Sequence, residues 1–247
     1  MFTSDRALHW SGCRNVRDLG GLPVAGGGSI RPGALIRSDS LDRLDPDGLL
    51  AFAEQEVSLI LDLRGPGEAD QRPHPFADDP RYRLVPMIDP RRERTRDRSV
   101  ERTLGMIYRS SLDRNARCIV DGVAAIADAP PGGVVVHCAV GKDRTGMIVA
   151  LVLSALGVPD EEIANDYQLS ADCLRDEFDE VIASLDGEER ARIAERMSSR
   201  RETILQMLEH AREHYGGAEG YLLAQGLGSD RLQRLRNRLV DAGNAQS

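Results

Sequence analysis

Aromatic residues make up only 4% of the 247 residues, and just one of them is tryptophan. A core with so few rings must rest on leucine, valine, isoleucine and alanine, and 41% hydrophobic content is enough for one sizeable core. Cysteine is scarce as well. Cys13, Cys118, Cys138 and Cys173 form no CxxC pair and show no metal-like spacing, so no metal and no cofactor is expected from them. Positive charge is in deficit. Lys and Arg number 32 against 40 Asp and Glu, a formal charge of −8, which argues against a dedicated nucleic-acid binder. No apolar run reaches transmembrane length, and residues 1–6 lack a signal-peptide core. The expected setting is the reducing cytoplasm, where a reactive thiol survives; export that needs no signal sequence is compatible with the same pattern. One domain over 1–247 suits the length better than two.

What the chain does have is concentrated in ten residues, His137-Cys138-Ala139-Val140-Gly141-Lys142-Asp143-Arg144-Thr145-Gly146. The preceding Gly133-Val134-Val135-Val136 reads as a buried strand, and Thr145 through Leu156 as a buried helix. A strand, a tight loop and a helix N-terminus therefore meet at Cys138. Such a loop aims backbone N–H groups and the positive end of a helix dipole at one point, the geometry that holds a phosphate. The same field stabilises a thiolate and makes Cys138 a nucleophile. Arg144 can grip two phosphate oxygens through its planar fork. Residues 138–144 thus read as a phosphate cradle with a nucleophile at its base, suited to phosphoryl transfer through a phosphocysteine. The bland alternative, a buried structural cysteine at a strand end, leaves Gly141, Arg144 and Thr145 unexplained.

These residues resemble the active-site signature of the cysteine-based protein tyrosine phosphatases. The Gly141-Lys142-Asp143-Arg144-Thr145 variant is similar to that of a bacterial branch with tyrosine- and lipid-phosphatase character, the mycobacterial phosphatase B type. Three further blocks carry the resemblance: Asn15-Val16-Arg17-Asp18-Leu19-Gly20-Gly21 with Arg31-Pro32-Gly33 and Leu35-Ile36-Arg37-Ser38; Leu61-Asp62-Leu63-Arg64 followed by Glu68; and Asn165-Asp166-Tyr167 with Leu169-Ser170. Together with the ending from Tyr221 to Arg236 they span about residues 14 to 242. The resemblance implies a tyrosine phosphatase-like α/β fold, with a central, mostly parallel sheet flanked by helices and a C-terminal helical lid or subdomain over 160–215. It also implies a phosphorylated protein or phosphoinositide as substrate. Rhodanese-type sulfurtransferases build a similar anion loop, but one residue shorter; a non-catalytic phosphate-binding module is the other alternative.

Patterning along the chain supports an α/β class. Residues 14–40 read as a β-hairpin with a glycine turn, 46–55 as a helix capped by Asp45, 57–63 as a parallel strand, and 83–87 as another short strand. Residues 65–80 read as an exposed loop and 104–128 as helical. After Pro159 the pattern is helical, broken at Asp186-Gly187 and Gly216-Gly217, with Ser229 capping a last helix to about 241 and a disordered tail at 244–247. The basic stretch 91–98 reads as a solvated loop.

Each loop residue then has an expected part. Cys138 attacks phosphorus, and Arg144 with the amides of Ala139, Val140, Gly141, Lys142 and Asp143 binds the equatorial oxygens. In the branch resembled here the general acid is the aspartate of the signature, which implies Asp143; Asp62 and Asp89, near strand ends, are its rivals. Lys142 supplies a second cation for multiply charged head groups. Thr145 hydrogen-bonds the thiolate or braces the loop, and His137 orients it. Arg64 and Glu68 pair with each other or support the loop.

Overall fold

The computed structural model describes residues 6–97 and 99–243. Strands β1 (Arg17–Asp18), β3 (Leu35–Ser38), β6 (Gly133–His137), β4 (Val57–Asp62) and β5 (Tyr82–Leu84) form one sheet in that spatial order. The last four are parallel, and β1 is antiparallel to β3 at the edge. This is the mostly parallel sheet of an α/β fold. Its central strands are aliphatic and β-branched because both faces are covered. Side chains alternate between two cores: Leu59, Leu61, Val134 and Val136 face one, while Ile36, Ile60 and Val135 face the other with Trp10, Leu41 and Phe52. Register brings the carboxyl ends together, with His137 opposite Ser38 on one side and Asp62 on the other.

The helix leaving this edge, Asp143–Ala155, is buried at every position except Asp143, Arg144 and Ser154, so it is a core element and not an amphipathic surface helix. Around it lie the helices Leu104–Arg114, Ala116–Ala127, Asp160–Cys173, Arg201–Tyr215 and Ala218–Ala224, the last four packed on it and the first packed mainly on Arg201–Tyr215. Ile163, Tyr167, Ile204, Met207 and Leu208 bring the third and fourth of these into the core. The helices Arg175–Ala183 and Gly187–Met197 differ: between them only Phe178 is buried. No helix among the described residues is long and apolar enough to cross a membrane.

Several local expectations change. The segment 14–40 is not a plain hairpin: β1 pairs with β3, while the intervening β2 (Ser29–Ile30) pairs with β7 (Val240–Asp241), so the chain's end closes that excursion. Residues 65–80 contain a helix, Pro66–Gln71, begun by a proline at its first position and braced by Glu68 accepting the Gly65 N–H at 2.9 Å. The region 104–128 is two helices, divided at Asn115. Ser229 lies inside the last helix; the capping position is Gly228, which has no side chain to bond. Asp45 does cap Pro46–Ala53, accepting the Gly48 N–H at 2.9 Å. The stretch 91–97 opens with the short helix Pro90–Glu93 and is tied by the Arg96–Glu101 ion pair. Arg98 and the tail 244–247 lie outside the described residues.

Candidate active site

The loop begins where β6 ends, and its backbone is turned one way throughout. The carbonyl of His137 accepts from Leu63 N–H at 2.9 Å and that of Ala139 from Ser40 N–H at 3.2 Å. Val140 O accepts from Asn15 Nδ2 at 2.9 Å, Gly141 O from an Arg37 guanidinium nitrogen at 2.7 Å, and Lys142 O from Gly146 N–H at 2.8 Å. Every loop carbonyl from Ala139 to Lys142 is thus held on the protein side. The amides of residues 139–144 donate to no other protein group among the described residues. Gly141 makes the turn possible: its φ is +68°, and a Cβ there would run into the Ser38 carbonyl. A ring of free amides at a helix N-terminus can hold a tetrahedral oxyanion.

Cys138 sits at the bottom of this ring, 1% exposed. The guanidiniums of Arg144 and Arg37 are both within its electrostatic reach. Arg144 donates to both carboxylate oxygens of Glu68, at 2.5 and 2.8 Å. Burial works to lower the Arg144 guanidinium; Cys138 and Glu68 outweigh it and raise it. Burial works to raise Glu68, but Arg144 and the Gly65 N–H hold it below the ordinary carboxylate range. Glu68 therefore partners Arg144 and not Arg64, which instead grips Asp62.

Asp143, the first residue of the helix Asp143–Ala155, accepts a 2.6 Å hydrogen bond from the Tyr108 hydroxyl, itself 2.9 Å from the Tyr167 hydroxyl. Burial and then the Asp143 charge raise the Tyr108 phenol well above its ordinary value, so it stays protonated and donates. The Asp143 side chain is 39% exposed, so it also faces solvent.

Lys142 departs from expectation. Its ammonium is buried and donates to Arg196 O at 2.6 Å and Ser198 O at 3.0 Å, under the Phe178 ring. The carbonyls ending the helix Gly187–Met197 have no helical partner and carry the negative end of its dipole, which draws the cation toward them while it stays 3.4 Å from Asp143 Oδ1. Thr145 is buried, and its hydroxyl has no hydrogen-bond partner among the described residues, so it does not bond the Cys138 sulfur here.

Asp62 is fully buried. It accepts from Arg64 through its backbone N–H and guanidinium and from Tyr82 hydroxyl at 3.0 Å. Burial works to raise it, but His137 and Arg64 keep it below the ordinary carboxylate range. A carboxylate held this tightly is a brace and not a free acid. Asp89 caps the helix Pro90–Glu93 by accepting from Arg91 N–H at 2.8 Å. His137 lies with Nδ1 3.3 Å from the Cys138 carbonyl and stacks on His74. Asp62, His74 and His137 place their ligand atoms within 4.8 Å of one another. However, the guanidinium of Arg64 already occupies the carboxylate, so the trio offers a divalent cation no free anion.

The residues that hold the loop in this shape were not assigned from the sequence. Asn15, Arg17, Arg37 and Asp166 lie in motifs that stood out without a role, whereas nothing in the sequence singled out Tyr108 or Asp39. Asp39 is a buried carboxyl beside the loop, accepting from Arg14 and Asn15 N–H at 3.2 and 3.1 Å; burial raises it above the ordinary carboxylate range.

A cysteine under a run of free amides, separated by five residues from the arginine that closes the loop and carried at the end of a parallel strand, defines a cysteine-loop phosphatase class of site. The model of the tyrosine phosphatase family matches residues 8–241, and the chain belongs to that family. A tyrosine-protein phosphatase of Nostoc commune is 30% identical over 232 residues, covering 90% of this chain and 79% of that protein. The triple specificity protein phosphatase PtpB of Mycobacterium tuberculosis is 29% identical over 274 aligned residues, 93% of this chain and 97% of that protein.

Proposed function

We propose that this chain is a metal-independent phosphomonoesterase that hydrolyses phosphotyrosine, and also phosphoserine, phosphothreonine or phosphoinositide esters, through a phosphocysteine on Cys138. The observation that carries the reading is that every loop carbonyl from Ala139 to Lys142 is held by a protein donor while, among the described residues, the amides of 139–144 have no protein acceptor. The ring and the Arg144 fork bind the three equatorial oxygens while Cys138 attacks in line. Phosphoryl transfer needs mainly such positioning and charge stabilisation. Asp143 protonates the leaving oxygen, then takes a proton from the water that cleaves the phosphocysteine. Its place at the loop rim, partly solvent-facing and aimed by Tyr108, supports that role. A range wider than phosphotyrosine is supported by the mycobacterial relative, which is named a triple specificity protein phosphatase.

The helices Arg175–Ala183 and Gly187–Met197 act as a lid. This is narrower than the 160–215 segment, whose outer helices are core. Lys142 is the lid's latch, and a substrate that displaces the lid frees that ammonium for a second phosphate. The test is hydrolysis of p-nitrophenyl phosphate without added metal. Turnover that vanadate inhibits and Cys138→Ser abolishes supports the reading; turnover surviving that substitution overturns it.

A further inference from the structure

Two sequence blocks that the chemistry leaves unused, Asn15-Val16-Arg17 and Asn165-Asp166-Tyr167, meet behind the loop. Arg17 and Arg37 stand directly opposite each other on the antiparallel pair β1 and β3. Like charges in that relation repel, and both are buried. Asp166, 1% exposed, lies between them: Arg17 Nε donates to Oδ1 at 2.9 Å and an Arg37 guanidinium nitrogen to Oδ2 at 2.7 Å. Burial works to raise this carboxyl, but the two guanidiniums hold it far below the ordinary range. It is a permanent anion between two buried cations, with the partly exposed Arg6 as a third partner at 3.4 Å.

Both cations continue to the loop. The other arm of Arg37 donates to Gly141 O at 2.7 Å. Arg17 donates to Asn15 Oδ1 at 2.5 Å, and the Asn15 amide, so oriented, donates to Val140 O at 2.9 Å. The two carbonyls held this way are at the middle of the loop. If either peptide flipped, a carbonyl dipole would face the phosphate and an amide would be lost from the ring.

We propose that Asp166 is a positioning residue for phosphoryl transfer: through Arg37, and through Arg17 and Asn15, it turns the Gly141 and Val140 carbonyls away from the substrate and so aims the loop amides at it. The inference rests on the reading of the loop as the phosphatase centre. The equatorial oxygens of the transition state demand all the amides in register, whereas the ground-state ester tolerates a misaligned one. The network therefore acts on kcat more than on KM.

The experiment compares wild type with Asp166→Asn, Arg37→Lys and Asn15→Ala, reading Tm, the kcat and KM for p-nitrophenyl phosphate, and the Ki for vanadate, a mimic of the transition state. Arg6→Gln is the control, since Arg6 touches Asp166 at 3.4 Å and Asp18 O but no loop atom. Asp166→Asn unpairs two buried guanidiniums and can fail to fold. Asn15→Ala leaves both charges paired, and Arg37→Lys keeps a cation that cannot reach both its partners. The expected result for these two is kcat lower by about tenfold or more and vanadate Ki higher by a similar factor, with KM within about threefold and Arg6→Gln unchanged. A purely structural role would reduce the amount of active enzyme and leave the Ki of the remainder at the wild-type value, which would overturn the proposal. Wild type without vanadate-sensitive turnover would overturn the functional reading, and this inference with it.

Discussion

Glu68 holds both arms of the Arg144 guanidinium, at 2.5 and 2.8 Å, and so fixes the plane of the fork that faces Cys138. The pair joins two segments 76 residues apart, the helix after β4 and the helix after β6. Glu68→Gln keeps the shape and one acceptor but frees the fork to rotate. We predict a three- to tenfold loss of kcat/KM, about 0.6 to 1.4 kcal/mol, with little change in Tm because the pair is partly solvent-exposed. Arg144→Lys, which lacks the fork, should lose at least a hundredfold. Equal, small losses in both variants would deny Arg144 a transition-state role.

If Asp143 is the general acid, Asp143→Asn slows esters with poor leaving groups strongly and activated aryl esters much less. Tyr108→Phe removes the 2.6 Å bond that aims it and should show the same leaving-group dependence in weaker form. The measurement is a Brønsted plot of kcat/KM over a series of aryl phosphates. An unchanged slope in Asp143→Asn moves the acid elsewhere. Asp62, gripped by Arg64, is the poorer heir; Asp39, whose carboxyl burial raises, is the better one.

The proposed lid is held by Lys142 on the carbonyls of Arg196 and Ser198 at the end of the helix Gly187–Met197, and by Arg43 on both oxygens of Glu177 at 2.7 and 2.9 Å. Glu177→Gln loosens the second without touching the loop. Cys138, at 1% exposed, should then be inactivated by peroxide several-fold faster while kcat holds. Identical inactivation rates in variant and wild type would mean that these helices do not gate the thiol.

Stability should fall on mild acidification, and His74 contributes to this together with the stacked His137, which burial also lowers. Burial first, and then the neighbouring His137, push His74 down to about 3. In the unfolded chain it titrates near 6.5. Between those values the unfolded state binds more protons, so the contribution is complete above about 6.5 and is lost as pH falls, at up to about 1.4 kcal/mol per unit. His74→Asn keeps an acceptor for the Phe76 N–H, which His74 Nδ1 now bonds at 3.1 Å, but does not titrate. Its Tm should vary less between pH 7 and pH 5 than that of wild type, measured by calorimetry; parallel curves would contradict the assignment.

The loop was legible from the sequence because its chemistry is local: a strand, seven residues and a helix start specify where the amides converge. Its supports were not, because they come from far along the chain. Asn15, Arg37 and Asp166 reach the loop only through sheet pairing and helix packing, which no spacing rule encodes. The helix carrying Glu68 is hidden because six residues rich in Gly, Pro and acids show no apolar period; its proline start and capping glutamate are its only local signals. The partners of Lys142 are hidden from the sequence for a different reason. The carbonyls that capture it belong to Arg196 and Ser198, and a helix end becomes an acceptor for a given lysine only once the fold brings the two together.

The phosphocysteine is the most direct thing to look for. Wild-type protein mixed with excess p-nitrophenyl phosphate and quenched in acid within the first turnover, then digested and analysed by mass spectrometry, should carry one added phosphoryl group on the peptide holding Cys138. If the same carboxylate activates the hydrolytic water, Asp143→Asn should accumulate more of the phosphocysteine. Continued turnover with a phosphoryl group on another residue, or with none trapped in either protein, would contradict the account.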